Sequence, residues 1–322
     1  MVNEGVPFVG IDLGGTHMQI GVVSASNDII GRAADHTLAD DGLDAVLDRM
    51  TRGVRLACDQ AGVSLDELGG VGIGAPSPID STFRIALVAV NLGWRNLPLA
   101  DLLSRKLGGA FVTLDNDVNV AVWGEHQLGA GRGMRNVLGI WIGTGIGGGL
   151  VLNGELFHGS FGTAGEIGHM VLNPELPREG NILEDFASRS SVVNTVRARL
   201  AKDSGRRPEW LGDRAADQLL ISDLAKAVEA GDELVIETLR ESARLVGYAA
   251  ANAVTLLSLE CVTVGGGLTE ALGDQYLGWV RETFDAAVFP DACRACAIRP
   301  TELRENAGLL GAALIARERR LR

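Results

Sequence analysis

Cysteine and aromatic residues are scarce in this 322-residue chain, and long apolar runs are missing. The four cysteines, at 58, 261, 293 and 296, are too few and too scattered for a disulfide framework, and such usage fits a reducing, cytoplasmic setting. Cys293 and Cys296 form a lone CxxC; a closed zinc site needs four ligands, so the pair reads as structural. No apolar stretch approaches the roughly 20 residues of a membrane span, and the N-terminus lacks the basic-then-apolar pattern of a signal peptide. Positive charge is short as well. Lys and Arg number 29 against 41 Asp and Glu, and the net charge of −12 argues against DNA, RNA and anionic membranes as main partners. Low-complexity tracts and flexible linkers are absent. What remains is a globular composition, 46% apolar and 22% charged, at a length that favours two domains.

Glycine is the exception to the scarcity, with 43 residues, and it writes one phrase twice. Gly10-Ile11-Asp12-Leu13-Gly14-Gly15-Thr16 precedes the apolar run Met18–Val23; about 130 residues later Gly139-Ile140-Trp141-Ile142-Gly143-Thr144-Gly145 precedes Gly147-Gly148-Gly149-Leu150-Val151-Leu152. Each copy reads as a strand, a Gly/Thr turn and a returning strand, the pattern of a hairpin. Turns without side chains let backbone N–H groups converge on an anion such as phosphate. Only the first copy carries a carboxylate, Asp12, where the second has Trp141. The pair therefore points to a two-lobed nucleotide site with a metal on one side.

Around these hairpins, strands and helices alternate. Residues 6–39 read as three strands, Gly42–Ala61 as a helix with apolar positions Leu43, Val46, Leu47, Met50, Val54 and Leu56, and Val71–Ala75 as a buried strand. A helix over Leu99–Leu107 and a strand over Ala110–Leu114 lead into Asp115-Asn116-Asp117, and a helix follows over Val118–Leu128. Beyond the second hairpin the spacing predicts helices at Glu184–Lys202, Ile221–Ala230 and Glu233–Leu257, a strand at Val262–Val264 ending in Gly265-Gly266-Gly267, and an amphipathic helix with a basic end over Gly308–Arg322. The expectation is an α/β duplication with ligands between the lobes, a smaller lobe from 1–118 plus 305–322 and a larger one from 119–304.

With these residues assembled, the chain resembles the ROK sugar kinases. The resemblance runs from Gly10 to Gly311 and rests on DLGGTH at 12–17, DNDVN at 115–119, GTGIGGG at 143–149, GTAGEIGH at 162–169, LEDFASRS at 183–190 and GGGL at 265–268. It implies a two-lobed actin-like ATPase fold, of the ribonuclease H-like kind, with an interlobe cleft. It also implies ATP- and magnesium-dependent phosphorylation of a sugar, most of all the 6-hydroxyl of glucose. The helix-turn-helix that ROK repressors place before this module is expected to be missing, since few residues precede the first strand. Other acceptors stay open: N-acetylmannosamine, N-acetylglucosamine, fructose or a cyclitol. So does a non-catalytic sugar sensor on the same fold. A homodimer or homotetramer is expected from the resemblance.

Roles carried by the resemblance fall on matching positions. Asp117 matches the base that deprotonates the sugar hydroxyl; an Asp before a helix is also what an N-cap prefers, so local sequence alone leaves both readings. Asn116, Glu166, His169 and Glu184 match residues that bind ring hydroxyls, and Asn91 sits in a stretch similar to the sugar-side loop. Asp115, where the family usually has Glu, reads as structural. Asp12 matches the residue that orients magnesium through water. Gly14, Gly15, Thr16, Gly143, Thr144 and Gly145 should line the phosphates, and Gly266 and Gly267 the adenosine. One departure stands out. Most ROK kinases follow GEIGH with three cysteines that join the histidine on zinc, whereas residues 173–182 here contain none, so no structural zinc is expected.

Overall fold

A computed structural model describes residues 5–202, 208–212 and 214–321. Residues 1–4 of the expected small lobe, 203–207 and 213 of the larger one, and Arg322 at the end of the expected C-terminal helix lie outside the described residues. The chain divides into two compact units. The first takes the described residues as far as Gly133, Leu156–Ala164, and those from Glu305 onward; the second takes Met134–Glu155 and Gly165–Arg304.

In the first unit, β1 (Phe8–Leu13), β2 (His17–Val23), β3 (Ile29–His36), β4 (Gly70–Ala75) and β7 (Val112–Asn116) form a sheet of order β3-β2-β1-β4-β7. The pairs β1–β2 and β2–β3 are antiparallel; β1–β4 and β4–β7 are parallel. In the second sheet, β8 (Val137–Ile142), β9 (Ile146–Leu152), β11 (Cys261–Gly265) and β12 (Ala297–Pro300) of the second unit, with β10 (Glu155–Phe157) where the chain passes from one unit to the other, repeat that order as β10-β9-β8-β11-β12. The pairs β8–β9 antiparallel, β8–β11 parallel and β11–β12 parallel match their counterparts. The repetition reaches the register: Asp12 pairs with Gly74 across β1–β4, and Trp141 with Gly265 across β8–β11. The α/β duplication expected from the twin glycine phrases is thus present strand by strand. A small hairpin of β5 (Ala86–Ala89) and β6 (Trp94–Leu97) had no clear sequence signal.

Each sheet has its own apolar core. Helix α1 (Leu43–Ala61) buries Val46, Leu47, Met50 and Val54 as its spacing predicts, and Cys58 besides, but Leu56 faces solvent. Helices α2 (Leu99–Lys106) and α3 (Asp117–Leu128) complete this unit together with α10 (Ala307–Leu321). The expectation of an amphipathic C-terminal helix is corrected: α10 is buried on nearly all sides from Ala307 to Ala316. The reason is glycine. A Cβ on Gly10 or Gly72 would strike the Leu309 or Ala312 carbonyl, and one on Gly311 the Val120 carbonyl, so backbone packs on backbone between α10, the sheet and α3. Helix α3, which the sequence-based division puts at the start of the larger lobe, packs here on α10.

The second unit holds α4 (Leu183–Ala187), α5 (Arg189–Lys202), α6 (Ile221–Glu229), α7 (Glu233–Leu257), α8 (Gly267–Leu272) and α9 (Asp274–Ala287). The single helix expected over Glu184–Lys202 is two. Ser188 breaks it with an extended backbone, φ −66 and ψ 157, and its Oγ accepts from the Ser191 N–H at 3.2 Å, capping α5. All four cysteines are free thiols; Cys296 is buried and Cys293 half-buried. Among the described residues no helix is long and apolar enough to cross a membrane.

Candidate active site

In the first unit the candidate residues gather at the C-terminal ends of the parallel strands. The β1–β4 and β4–β7 registers set Asp12, Gly74 and Asp115 in one row, so the strand bearing Asp12 stands two strand spacings, about 10 Å, from the one delivering Asn116. Gly74 keeps this corner open: a Cβ there would crowd Val120 and lie 3.3 Å from the Asp117 Cα.

Asn116 ends β7 and caps α3, its Oδ1 accepting from the Val118 N–H at 2.9 Å and the Asn119 N–H at 3.1 Å. The capping role that local sequence allowed for Asp117 thus falls to its neighbour. Asp117 opens the helix half-buried, with Oδ1 also 2.9 Å from the Val118 nitrogen. Beneath them Asp115 is buried and surrounded: His158 Nε2 donates to Oδ2 at 2.8 Å, Asn119 Nδ2 to Oδ1 at 3.2 Å, and Arg319 forms a short ion pair with Oδ2. Burial alone would raise this carboxyl, but the bond from His158 and the charge of Arg319 outweigh it and hold Asp115 below the usual carboxylate range. Arg319 also donates to Leu114 O at 2.6 Å and lies 3.5 Å over the Phe83 ring, which tightens the end of β7.

Asp12 is the opposite case. No cation among the described residues neutralises it, and burial pushes its carboxyl up to about 6. It lies against the start of α10, where a Cβ on Gly308 would come 2.5 Å from Oδ2. In the adjoining turn the Gly14 N–H donates to His17 O at 2.9 Å and Thr37 Oγ1 donates to Gly14 O at 2.7 Å, while Thr16 is exposed. Asn91 stands beside this turn, its Cβ 3.4 Å from where a Gly15 Cβ would be.

In the second unit three designated sugar residues converge on the start of β9. Glu184 Oε2 accepts the Ile146 N–H at 2.7 Å and lies against Gly145. Gly168 abuts the Ile146 carbonyl, and Gly148 and Gly165 meet backbone to backbone, which seats the short turn Ile167–His169 on the strand. That turn presents Glu166 and His169, both exposed, with His169 Nε2 3.9 Å from Glu166 Oε2. Gly266, with φ +90, backs onto Ile142 just before the turn Gly143–Thr144–Gly145, whose Gly143 N–H donates to Gly145 O at 2.9 Å.

The cysteine-free stretch after His169 is held by hydrogen bonds. Buried Asn181 clasps Asn173, donating from Nδ2 to its carbonyl at 2.6 Å and accepting its N–H on Oδ1 at 3.1 Å; the Leu172 N–H donates to Asn181 O at 3.0 Å. Within this loop Arg178 Nη2 donates to His169 Nδ1 at 2.9 Å. Among the described residues no group of three or more His, Cys, Asp or Glu is arranged to hold a metal. Sequence reasoning missed His158, Arg319, Arg178, Asn181 and Arg189. Only the last lies inside a motif already singled out, LEDFASRS.

The sequence model of the ROK family matches residues 8–319. The chain is 31% identical over 316 residues to the glucokinase of Halalkalibacterium halodurans, covering 97% of this chain and 95% of that one. Against the glucokinase of Thermotoga maritima it is 31% identical over 317 residues, covering 97% and 98%. The crystal structure of a ROK family glucokinase from Streptomyces griseus in complex with glucose and AMPPNP is similar with a TM-score of 0.84 and 31% identity, covering 97% of this chain and 99% of that one.

Proposed function

The chain belongs to the ROK family, and from that premise we propose that it is a glucokinase, transferring the γ-phosphoryl group of ATP to the 6-hydroxyl of glucose. The observation that carries this reading is local. Asn116 takes the α3 cap, and Asp117 follows it, half-buried, at the first turn of the helix where β7 ends, next to the row that also holds Asp12. Full-length similarity to glucokinases supports the same acceptor.

In this reading the 6-hydroxyl oxygen attacks the γ-phosphorus. A new O–P bond forms, the bond to the β-phosphate oxygen breaks, the hydroxyl proton passes to Asp117, and ADP leaves. Asn116, through Nδ2, with Glu166, His169 and Glu184, orients the sugar; Asn91 assists from beside the first turn. Gly14, Gly15 and Thr16 of one hairpin and Gly143, Thr144 and Gly145 of the other receive the phosphates on backbone N–H groups and hydroxyls, while Gly266 and Gly267 flank the adenosine.

The residues also fit a magnesium ion. Asp12 is a desolvated carboxylate without a neutralising partner among the described residues, and a hard cation that keeps its own waters needs few protein ligands. Asp12 would hold such an ion through water, and the ion when bound offsets charge on the phosphates. Assembly as a dimer or tetramer and a cytoplasmic location belong to the same reading.

An ADP-release assay against a panel of hexoses and N-acetylated hexosamines, with ATP as donor, tests it. Glucose turnover well above the rest is expected. No turnover of any sugar would overturn the reading.

A further inference from the structure

The break at Ser188 has a geometric product. Because Ser188 is extended, α5 restarts at Arg189, whose N–H turns away from helical pairing and donates to Gly143 O at 3.0 Å. Its side chain follows: Nη2 donates to Thr144 Oγ1 at 2.9 Å, and Nη1 and Cδ lie 3.4 Å and 3.5 Å from the position of a Gly267 Cβ. The guanidinium thus lies between the second glycine turn and the turn Gly266–Gly267. Glu184 grips the same hairpin through the Ile146 N–H at 2.7 Å, yet no ion pair joins the two side chains.

Three properties make this arginine unlike a fastener. It is partnered by no carboxylate among the described residues. Arg carries five N–H donors and only one is used among the described residues, so four remain in a planar fork suited to phosphate oxygens. Finally, the Thr144 hydroxyl accepts from Arg189, so its own hydrogen must point elsewhere and it becomes a donor to whatever rests on the turn. An unpaired cation, a hydroxyl set to donate and glycines on both sides describe a receptor for a polyanion.

We propose that Arg189 is a nucleotide-binding residue that contacts the α- and β-phosphates of ATP and ADP, bridging the turn Gly143–Gly145 and the turn Gly266–Gly267. The proposal rests on the kinase reading for the identity of the nucleotide. Arg189 takes no proton and forms no bond; it offsets phosphate charge that backbone N–H groups alone would carry.

Calorimetric titration of the whole protein with ADP, AMPPNP and adenosine tests this, for wild type, Arg189→Gln, Arg189→Lys and Thr144→Val. Gln keeps a donor for the Thr144 hydroxyl while removing the charge. Arg189→Gln is expected to weaken ADP and AMPPNP binding by about tenfold to a hundredfold, with adenosine binding and the ligand-free melting temperature nearly unchanged. Arg189→Lys should fall between Gln and wild type, and raising the salt should narrow the difference between wild type and Gln. Thr144→Val should cost less than Arg189→Gln. If Arg189→Gln binds ADP as wild type does, or loses adenosine and ADP equally, the proposal is overturned while the kinase reading stands. A wild type that binds ADP but phosphorylates no sugar overturns the kinase reading and leaves Arg189 in place. A wild type that binds no nucleotide overturns both.

Discussion

His158 Nε2 donates to Asp115 Oδ2 across 43 positions of sequence at 2.8 Å, and Arg319 reaches the same oxygen across 204. Two nitrogen donors from distant segments, one of them a guanidinium, thus meet on the residue that immediately precedes Asn116 and Asp117. Asp115→Ala should cost about 3–5 kcal/mol at pH 7, because it strands buried partners. The folded pKa of Asp115 lies below its unfolded value, so this stability is present above about pH 4 and is lost as pH falls through the lower, folded value. Urea melts of wild type and variant from pH 7 down to pH 3 should therefore show the gap between them narrowing at the acid end. A gap that stays constant with pH would contradict the ion-pair account.

Asp12 should behave in the opposite sense. Its folded pKa, about 6, lies above the unfolded value, so ionisation penalises the fold. The penalty is absent below about pH 4, grows to about pH 6 and is full above it, with an upper bound of about 3 kcal/mol. Asp12→Asn should accordingly raise the melting temperature of ligand-free protein at pH 8 and leave it unchanged at pH 4. The same variant should lose magnesium-dependent turnover. A melting temperature lowered at pH 8 would show that Asp12 is satisfied by a partner.

These two aspartates show what the sequence could and could not convey. The turns Gly14–Thr16 and Gly143–Gly145 are legible because glycine at fixed spacing acts locally, and so are the strands that flank them. The role of Asp115 is not, because its partners lie 43 and 204 residues away. Nor is the burial of α10, which depends on Gly10, Gly72 and Gly311 meeting backbone from elsewhere. Which of Asn116 and Asp117 caps α3 depends on a single backbone turn, as does the break at Ser188.

The loop after His169 should hold its shape without metal. Chelator treatment is expected to leave the melting temperature unaltered, and metal analysis of the purified protein should find no stoichiometric zinc. Asn181→Ala, which leaves the Asn173 backbone groups without their clasp, should cost about 1–3 kcal/mol and raise the KM for sugar. Chelator-sensitive melting would contradict the clasp.

Arg178 fixes the tautomer of His169. A guanidinium only donates, so His169 Nδ1 accepts and the proton of the neutral ring resides on Nε2. Nitrogen-15 shifts of the His169 ring should show this tautomer in wild type and a mixture in Arg178→Ala, accompanied by a higher sugar KM. A ring protonated on Nδ1 in wild type would contradict the geometry.

The central claim is that Asp117 takes the proton from the sugar hydroxyl while its neighbour Asn116 handles the helix cap. Single-turnover phosphorylation of glucose by Asp117→Asn, measured with glucose binding on the same sample, tests it most directly. The account predicts a fall in the phosphoryl-transfer rate of at least about a hundredfold, with glucose affinity within about threefold of wild type and the melting temperature preserved. A rate near that of wild type would contradict it.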